Sequence, residues 1–425
     1  MLRGLLATVS LAAAAFAYDR VCTVVPLGGG QDDGPTINAA FKECSENAAV
    51  VLDSYYSVNT LLLTEGLSHV DIILNGTVQY TPDIAYWSPN SLYLTFQNAT
   101  TFWFLSGDHI HLYGGGTIDG NGQVWYDYFN ITQESGTAGS STLTFARPIP
   151  LTIGNSSNVV IENITEWMSP NWACCTLSIW RDIITKSFTE QREYLREFSI
   201  NSFSYSSAPA KNTDGWDIYR SSYVTITDST INNGDDCVSF KPNSTDIIVS
   251  NLWCNGSHGI SVGSLGQYAG ETDIVANVYV KNVTMRYAEN GARIKVFGGS
   301  PDPNSTSGGG TGYVKNITFE DFYSAYFSLI TSNLFRRVQC YFTSTAQCEE
   351  YPSNLTISDV HYINVTGTSS GADGSVVVSL VCSEECEDIT ATSTNLTAPD
   401  GQATYVCENI ASISELDFNC TSESS

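Results

Sequence analysis

The chain has 425 residues, with 44 Asp plus Glu against 18 Lys plus Arg, a formal charge of -26 and 12 cysteines. That charge excludes a nucleic-acid binder, which needs a basic surface. An anionic ligand could be held only by a local basic patch, and an acidic medium would ease the repulsion by protonating part of the carboxylates.

In chain order, the first element is MLRGLLATVSLAAAAFA. Arg3 precedes an apolar run that ends in Ala15-Phe16-Ala17. This is the pattern of a secretory signal over residues 1–17, cleaved after Ala17. No later stretch holds 18 consecutive apolar residues, so no membrane span is predicted. The cysteines and 14 Asn-X-Ser/Thr sequons, from Asn75 to Asn419, fit an exported chain with disulfides and N-linked glycans. Irregular cysteine spacings and only 5 histidines argue against a zinc cluster. Cys382 and Cys386 lie in the acidic stretch CSEECED, which reads as a local disulfide rather than a metal site.

One early helix is predicted over DDGPTINAAFKEC, residues 32–44. Pro35 stands near its start, and Ile37, Ala40, Phe41 and Cys44 fall on one face. It would cap the end of a solenoid. Beyond it, one grammar repeats: a short apolar alternation, then Asn or Asp, then Gly or Ser. SHVDIILNGTVQY, SYVTITDSTINN, TDIIVSNLWCNG and SNLTISDVHYINV are examples. Strand starts near Val224, Ile247 and Ile274 lie 23 and 27 residues apart. Repeats of this length, with two or three strands each, predict an all-β right-handed parallel β-helix, residues 18–425 forming one domain. A β-sandwich or propeller is the alternative, but no blade signature recurs.

In a solenoid, residues one period apart stack on one face. Asp214, Asp236 and His258 are separated by 22 residues and 22 again, which predicts a ladder of side chains. Asp235 adds a carboxylate. Arg293 and Lys295 follow on the next rung, two apart and so on the same side of a strand. Crowded carboxylates drive their pKa values apart, so one can be a proton donor while another is ionised, as glycosidic hydrolysis requires. The cations suit an acidic sugar. The plainer alternatives are an Asx-capped turn at NNGDDC, solvated strand cations and a loop histidine. Neighbouring Asp235 and Asp236 can serve one face only if the backbone bends, and Gly234 would permit a bulge there.

NTDGWD, NNGDDCVSFK, NGSHGISVGSLG and ARIKVFGG resemble the signature segments of the polygalacturonase family, glycoside hydrolase family 28. The likeness extends through CTVVPLGGGQDDGP, HLYGGGTIDGNGQVWYDYF and FARPIPLTIGNSSNV, and is strongest to secreted fungal exo-acting members. The resemblance implies a β-helix that hydrolyses α-1,4-linked galacturonic acid with inversion, without cofactor or metal. It assigns Asp235 as general acid, Asp214 and Asp236 as the pair activating water, and His258 as an aid to the acid. It gives Arg293 and Lys295 to the galacturonate carboxylate and Tyr341 to substrate contact. Local or family-like disulfides would join Cys22 to Cys44, Cys237 to Cys254, Cys340 to Cys348, Cys382 to Cys386 and Cys407 to Cys420. Cys174 and Cys175 stand outside this set.

Two segments depart from the family pattern. Ala173 replaces an expected His, and the stretch near 173–203 is several residues long by comparison. SNLFRRV, 332–338, interrupts a second motif. Both read as mis-assigned splice boundaries or as true insertions. The expected activity is removal of galacturonic acid from the non-reducing end of pectic galacturonan, by a secreted monomer. The alternatives are endo-polygalacturonase, rhamnogalacturonan or xylogalacturonan hydrolysis, and a catalytically impaired pectin-binding β-helix.

Overall fold

The computed structural model describes residues 18–134, 145–177, 193–325, 339–399 and 401–422. The predicted signal segment, the middle of the first unusual segment (178–192) and the whole of the second, within 326–338, lie outside the described residues.

The repeating grammar becomes a right-handed parallel β-helix. Its main sheet has 25 strands, and successive coils pair in parallel, as in Thr225↔Ile248↔Tyr279↔Thr318. Sandwiches and propellers rest on antiparallel pairs, so the alternative is excluded. The Asn and Asp residues that end each alternation turn the chain at the corners. Asp228, Asn251, Asn282, Asp321 and Asn364 have φ of 52, 57, 55, 56 and 54°. Asn and Asp enter this left-handed region more readily than other side chains, because they bond locally. At the corner they also bond between coils: Asn251 Nδ2 donates to Asp228 Oδ1 at 3.0 Å, and Asn282 Nδ2 to Asn251 Oδ1 at 2.8 Å.

Inward rows fill one core cluster that extends from Val24 to Leu416. Trp216, Val238, Ile260 and Ala292 make such a row, in register on four strands. The predicted helix forms over Gly34–Glu43, with Pro in its first turn and Ile37 and Phe41 buried in that core. No helix among the described residues is long and apolar enough to cross a membrane. All five expected disulfides form. Cys174 and Cys175 are buried on opposite faces of one strand: Cys174 in the main core, Cys175 in a second cluster on the outer face.

That second cluster comes from an addition to the solenoid. Leu92–Tyr93 pairs antiparallel with Thr100–Thr101. This hairpin lays Leu94, Phe96 and Ala99 over the outward side of the coils, against Ile149, Trp172, Cys175 and Tyr219. Phe96 stacks on Tyr219 with ring centroids 3.9 Å apart.

Candidate active site

The row beside Trp216–Val238–Ile260–Ala292 faces outward. It runs Asp217, Ser239, Ser261, Arg293 in register, with coils about 4.8 Å apart. Asp214 and Asp236 occupy the strand entries, where Gly215 N–H donates to the Asp236 carbonyl at 2.8 Å. The 22-residue step therefore holds for that pair. The second step is different. Asp236 pairs with Gly259 and Val238 with Ile260, so Cys237 is an extra residue. His258 aligns instead with Asp235, whose carbonyl accepts its N–H at 2.7 Å.

This bulge answers how adjacent carboxylates serve one face. Cys237 turns into the core beside Val238 and is tied to Cys254. Asp236 then shares its side with Ser261, whose hydroxyl donates to Asp236 Oδ1 at 2.7 Å. The expected role of Gly234 is corrected. The irregularity lies at Cys237, and Gly234 is needed for close approach, because a Cβ there would stand 2.2 Å from the Ala210 carbonyl oxygen.

All six predicted charged residues converge. Asp236 accepts from Arg293 at 2.7 Å and from Lys295 at 2.5 Å. Its burial favours the neutral form, but Lys295, Arg293 and Lys241 outweigh that and hold its carboxyl well below the usual range. Asp235 lies 3.0 Å from His258 Nδ1, and His258 Nε2 lies 3.4 Å from Glu289. Burial would raise Asp235, yet the hydrogen bond and charge of His258 leave it lowered. Burial would lower His258, yet Asp235 and Glu289 leave it raised. Asp214 is different again: burial, then Asp217, push it well above the carboxylate range, with Lys241 opposing. Three aspartates in one cluster thus carry opposite proton preferences.

Tyr341 joins the site. Its strand pairs with that of Phe297, its ring lies 5.6 Å from Lys295 Nζ, and burial pushes its hydroxyl up to about 12. His258, Glu289, Arg293, Lys295, Tyr341 and Phe342 line an open cavity of ≈ 420 Å³. Ala173, at the position of the expected His, is buried in the core and donates its N–H to the Asp214 carbonyl at 2.7 Å.

Several site residues escaped sequence reasoning. Lys241 lies 3.2 Å from Asp214 and 3.1 Å from Asp217, all three side chains almost wholly buried. Arg147 donates to Asn212 Oδ1 at 2.7 Å and to the Lys211 carbonyl at 2.8 Å. Asn212 in turn donates to Asp235 at 3.4 Å. The spacing from Asp217 to Lys241 could have signalled their contact, since it is about one coil; Arg147 had no such signal.

Asp235, Asp236 and His258 each bring one ligand atom to within 4.8 Å of the others. They suit a hard cation poorly. Such ions select several free oxygens, and both Asp236 oxygens are already committed to Arg293 and Lys295. What the cluster offers is a proton donor, a proton acceptor and buried cations for an anionic group.

Known proteins agree with this geometry. The model for Glycosyl hydrolases family 28 matches residues 48–420. The chain is 42% identical over 430 residues to exopolygalacturonase X of Aspergillus niger, covering 96% of this chain and 89% of the relative. It is 40% identical over 416 residues to exopolygalacturonase of Cochliobolus carbonum, covering 95% and 87%. Among solved structures, an endo-xylogalacturonan hydrolase from Aspergillus tubingensis superposes with a TM-score of 0.80 at 31% identity, covering 95% of this chain and all of that one. The chain belongs to glycoside hydrolase family 28.

Proposed function

We propose that this glycoside hydrolase releases galacturonic acid, one unit at a time, from the non-reducing end of galacturonan, with inversion. The observation that carries the exo reading is the hairpin. Trp172, Tyr219 and Phe96 cover the outward face immediately on the Asp214 side, and Gln97 reaches Gln267 at 3.2 Å. In this reading that wall ends the binding face just beyond Asp214. On the other side, beyond His258, the cavity is open and carries Arg293 and Lys295.

The chemistry follows from the order wall, Asp214, Asp235 and Asp236, His258, cavity. The terminal sugar sits against the wall and the chain leaves through the cavity. Asp235 gives its proton to the glycosidic oxygen as the C–O bond breaks. A water between Asp214 and Asp236 attacks the anomeric carbon from the opposite face and loses its proton to that pair. His258 holds Asp235 ionised in the resting site, while burial leaves the proton on Asp214. A galacturonate carboxylate entering beside Asp235 raises its proton affinity, and Lys241 favours the ionised Asp214, so the proton is placed on Asp235 when substrate binds. Arg293 and Lys295 receive that carboxylate and offset the repulsion of a chain with charge -26. Five disulfides and the relatives' exopolygalacturonase names support action outside the cell on pectic polysaccharide.

Digestion of a tetragalacturonide labelled at its reducing end tests the direction. The expected first products are labelled trimer and unlabelled monomer. Labelled monomer at the outset would reverse the assignment of the two ends.

A further inference from the structure

We propose that Lys241 is a positioning residue of the hydrolysis, which favours the ionised form of Asp214 against its burial and aims it, by sharing one buried ammonium between Asp214 and Asp217. The proposal rests on the reading that Asp214 belongs to the water-activating pair. Its basis is geometric. Lys241 Nζ stands 3.2 Å from Asp214 Oδ2 and 3.1 Å from Asp217 Oδ1, with side-chain exposures of 6%, 5% and 0% for Lys241, Asp214 and Asp217. The Trp172 ring covers the ammonium with its centroid 5.1 Å away.

The charges around Asp214 leave no substitute. Asp217, Asp235 and Asp236 face it as like charges. Arg293 and Lys295 are engaged with Asp236. Arg147 acts on Asp214 through space, but its guanidinium bonds to Pro170, Lys211 and Asn212. The Cys175 thiol lies close, and burial pushes it up, so it stays neutral. Lys241 is therefore the cation in contact with Asp214 among the described residues. Burial would lower its ammonium, but Asp217 and Asp214 hold it charged. The two carboxyls are both pushed up by burial, Asp217 to about 6. Without Lys241 two buried carboxyls would face each other unpaired, and protonation would relieve them. A protonated Asp214 cannot take a proton from water.

The sign of the pH effect follows. Activity needs Asp214 ionised, so removing the cation raises the pH below which activity fails. Lys241→Met should lower kcat about 100-fold or more and move the acid limb of the pH profile up by about 1–3 units. Lys241→Met with Asp217→Asn removes one charge of each sign. It should recover about tenfold or more of the lost kcat and return the limb toward its original position. Lys241→Arg keeps the charge and should retain the wild-type limb.

Polygalacturonate kinetics across pH, with thermal melts, would decide. A folded Lys241→Met variant with normal kcat and pH profile overturns the proposal. So does a double variant no better than the single one. Should Lys241→Met fail to fold, Asp217→Asn alone still tests it. Lys241 then serves Asp214 only, and the acid limb should move to lower pH; an unmoved limb overturns the proposal. Asp214→Asn, measured in parallel, separates the two claims. Loss of activity there beside an indifferent Lys241 sinks only the positioning role, while an active Asp214→Asn enzyme sinks the underlying reading.

Discussion

On the Asp214 side of the site, the outward strand face is sealed by rings: Phe96 over Tyr219, with Trp172 beside them and Cys175 beneath. On the His258 side, the same outward row continues into an open cavity walled by Arg293, Lys295, Tyr341 and Phe342. The coils beneath the two sides pair in parallel and pack one inward row, with bulges only on the His258 side, at Cys237 and Ser264. Among the described residues, a hairpin, Leu92–Thr101, is laid over one of them. In the proposed reading the solenoid positions the chemistry, and a short addition to it limits how much polymer lies on the Asp214 side of the cleavage point.

Three changes probe that contrast. The largest effect is expected between the two ends. Asp235→Asn removes the proton donor, so kcat on polygalacturonate should fall about 10²–10⁴-fold in a protein that still folds, its melting temperature falling only by the loss of the His258 pair; near-wild-type turnover would take Asp235 out of the acid role. Next comes the sealed end. Phe96→Ala should cost about 3 kcal/mol of stability, since a buried ring leaves a cavity, and should allow dimers to appear among early products. A folded variant that still releases monomer alone would show that the wall lies elsewhere.

The smallest effect concerns the open side, where His258 meets Asp235. The folded His258 is raised, so its share of stability is complete at low pH and is lost as pH rises through its folded value. Asp235 is lowered, so its share is present above the unfolded value and is lost as pH falls through the folded one. The melting temperature of His258→Gln should therefore fall furthest below wild type at mildly acidic pH, between those limits, and converge with it above the His258 titration. A gap that widens with rising pH would contradict the pairing.

The candidate ladder was legible in the sequence because coil length is itself a spacing. A 22-residue step joins Asp214 to Asp236, and motif likeness extended the ladder to Tyr341. The second step matched in number but not in register, since the extra residue at Cys237 lies within a strand and alternation cannot reveal it. The corner Asn and Asp residues were visible as punctuation; their hydrogen-bonded stacking was not. Lys241 and Asp217 were missed because each looks like an ordinary strand residue until the coils are stacked. The hairpin was missed for the opposite reason. It breaks the solenoid grammar, and its contacts reach from Phe96 to Tyr219 and from Gln97 to Gln267 across long stretches of chain. Next to Asp214, the coil entering through Cys174–Leu177 pairs regularly with Leu151–Gly154 and Trp216–Tyr219. The unusual length near 173–203 therefore leaves the strand register under Asp214 intact.

In the proposed reading, one side of the cleavage point admits only the end of a chain. A time course of products from unlabelled polygalacturonic acid, separated by size from the first few percent of conversion, tests it most directly. Galacturonic acid should be the sole small product from the earliest sample, with the polymer shortening slowly. A ladder of oligogalacturonides at that stage, with a rapid fall in chain length, would contradict it.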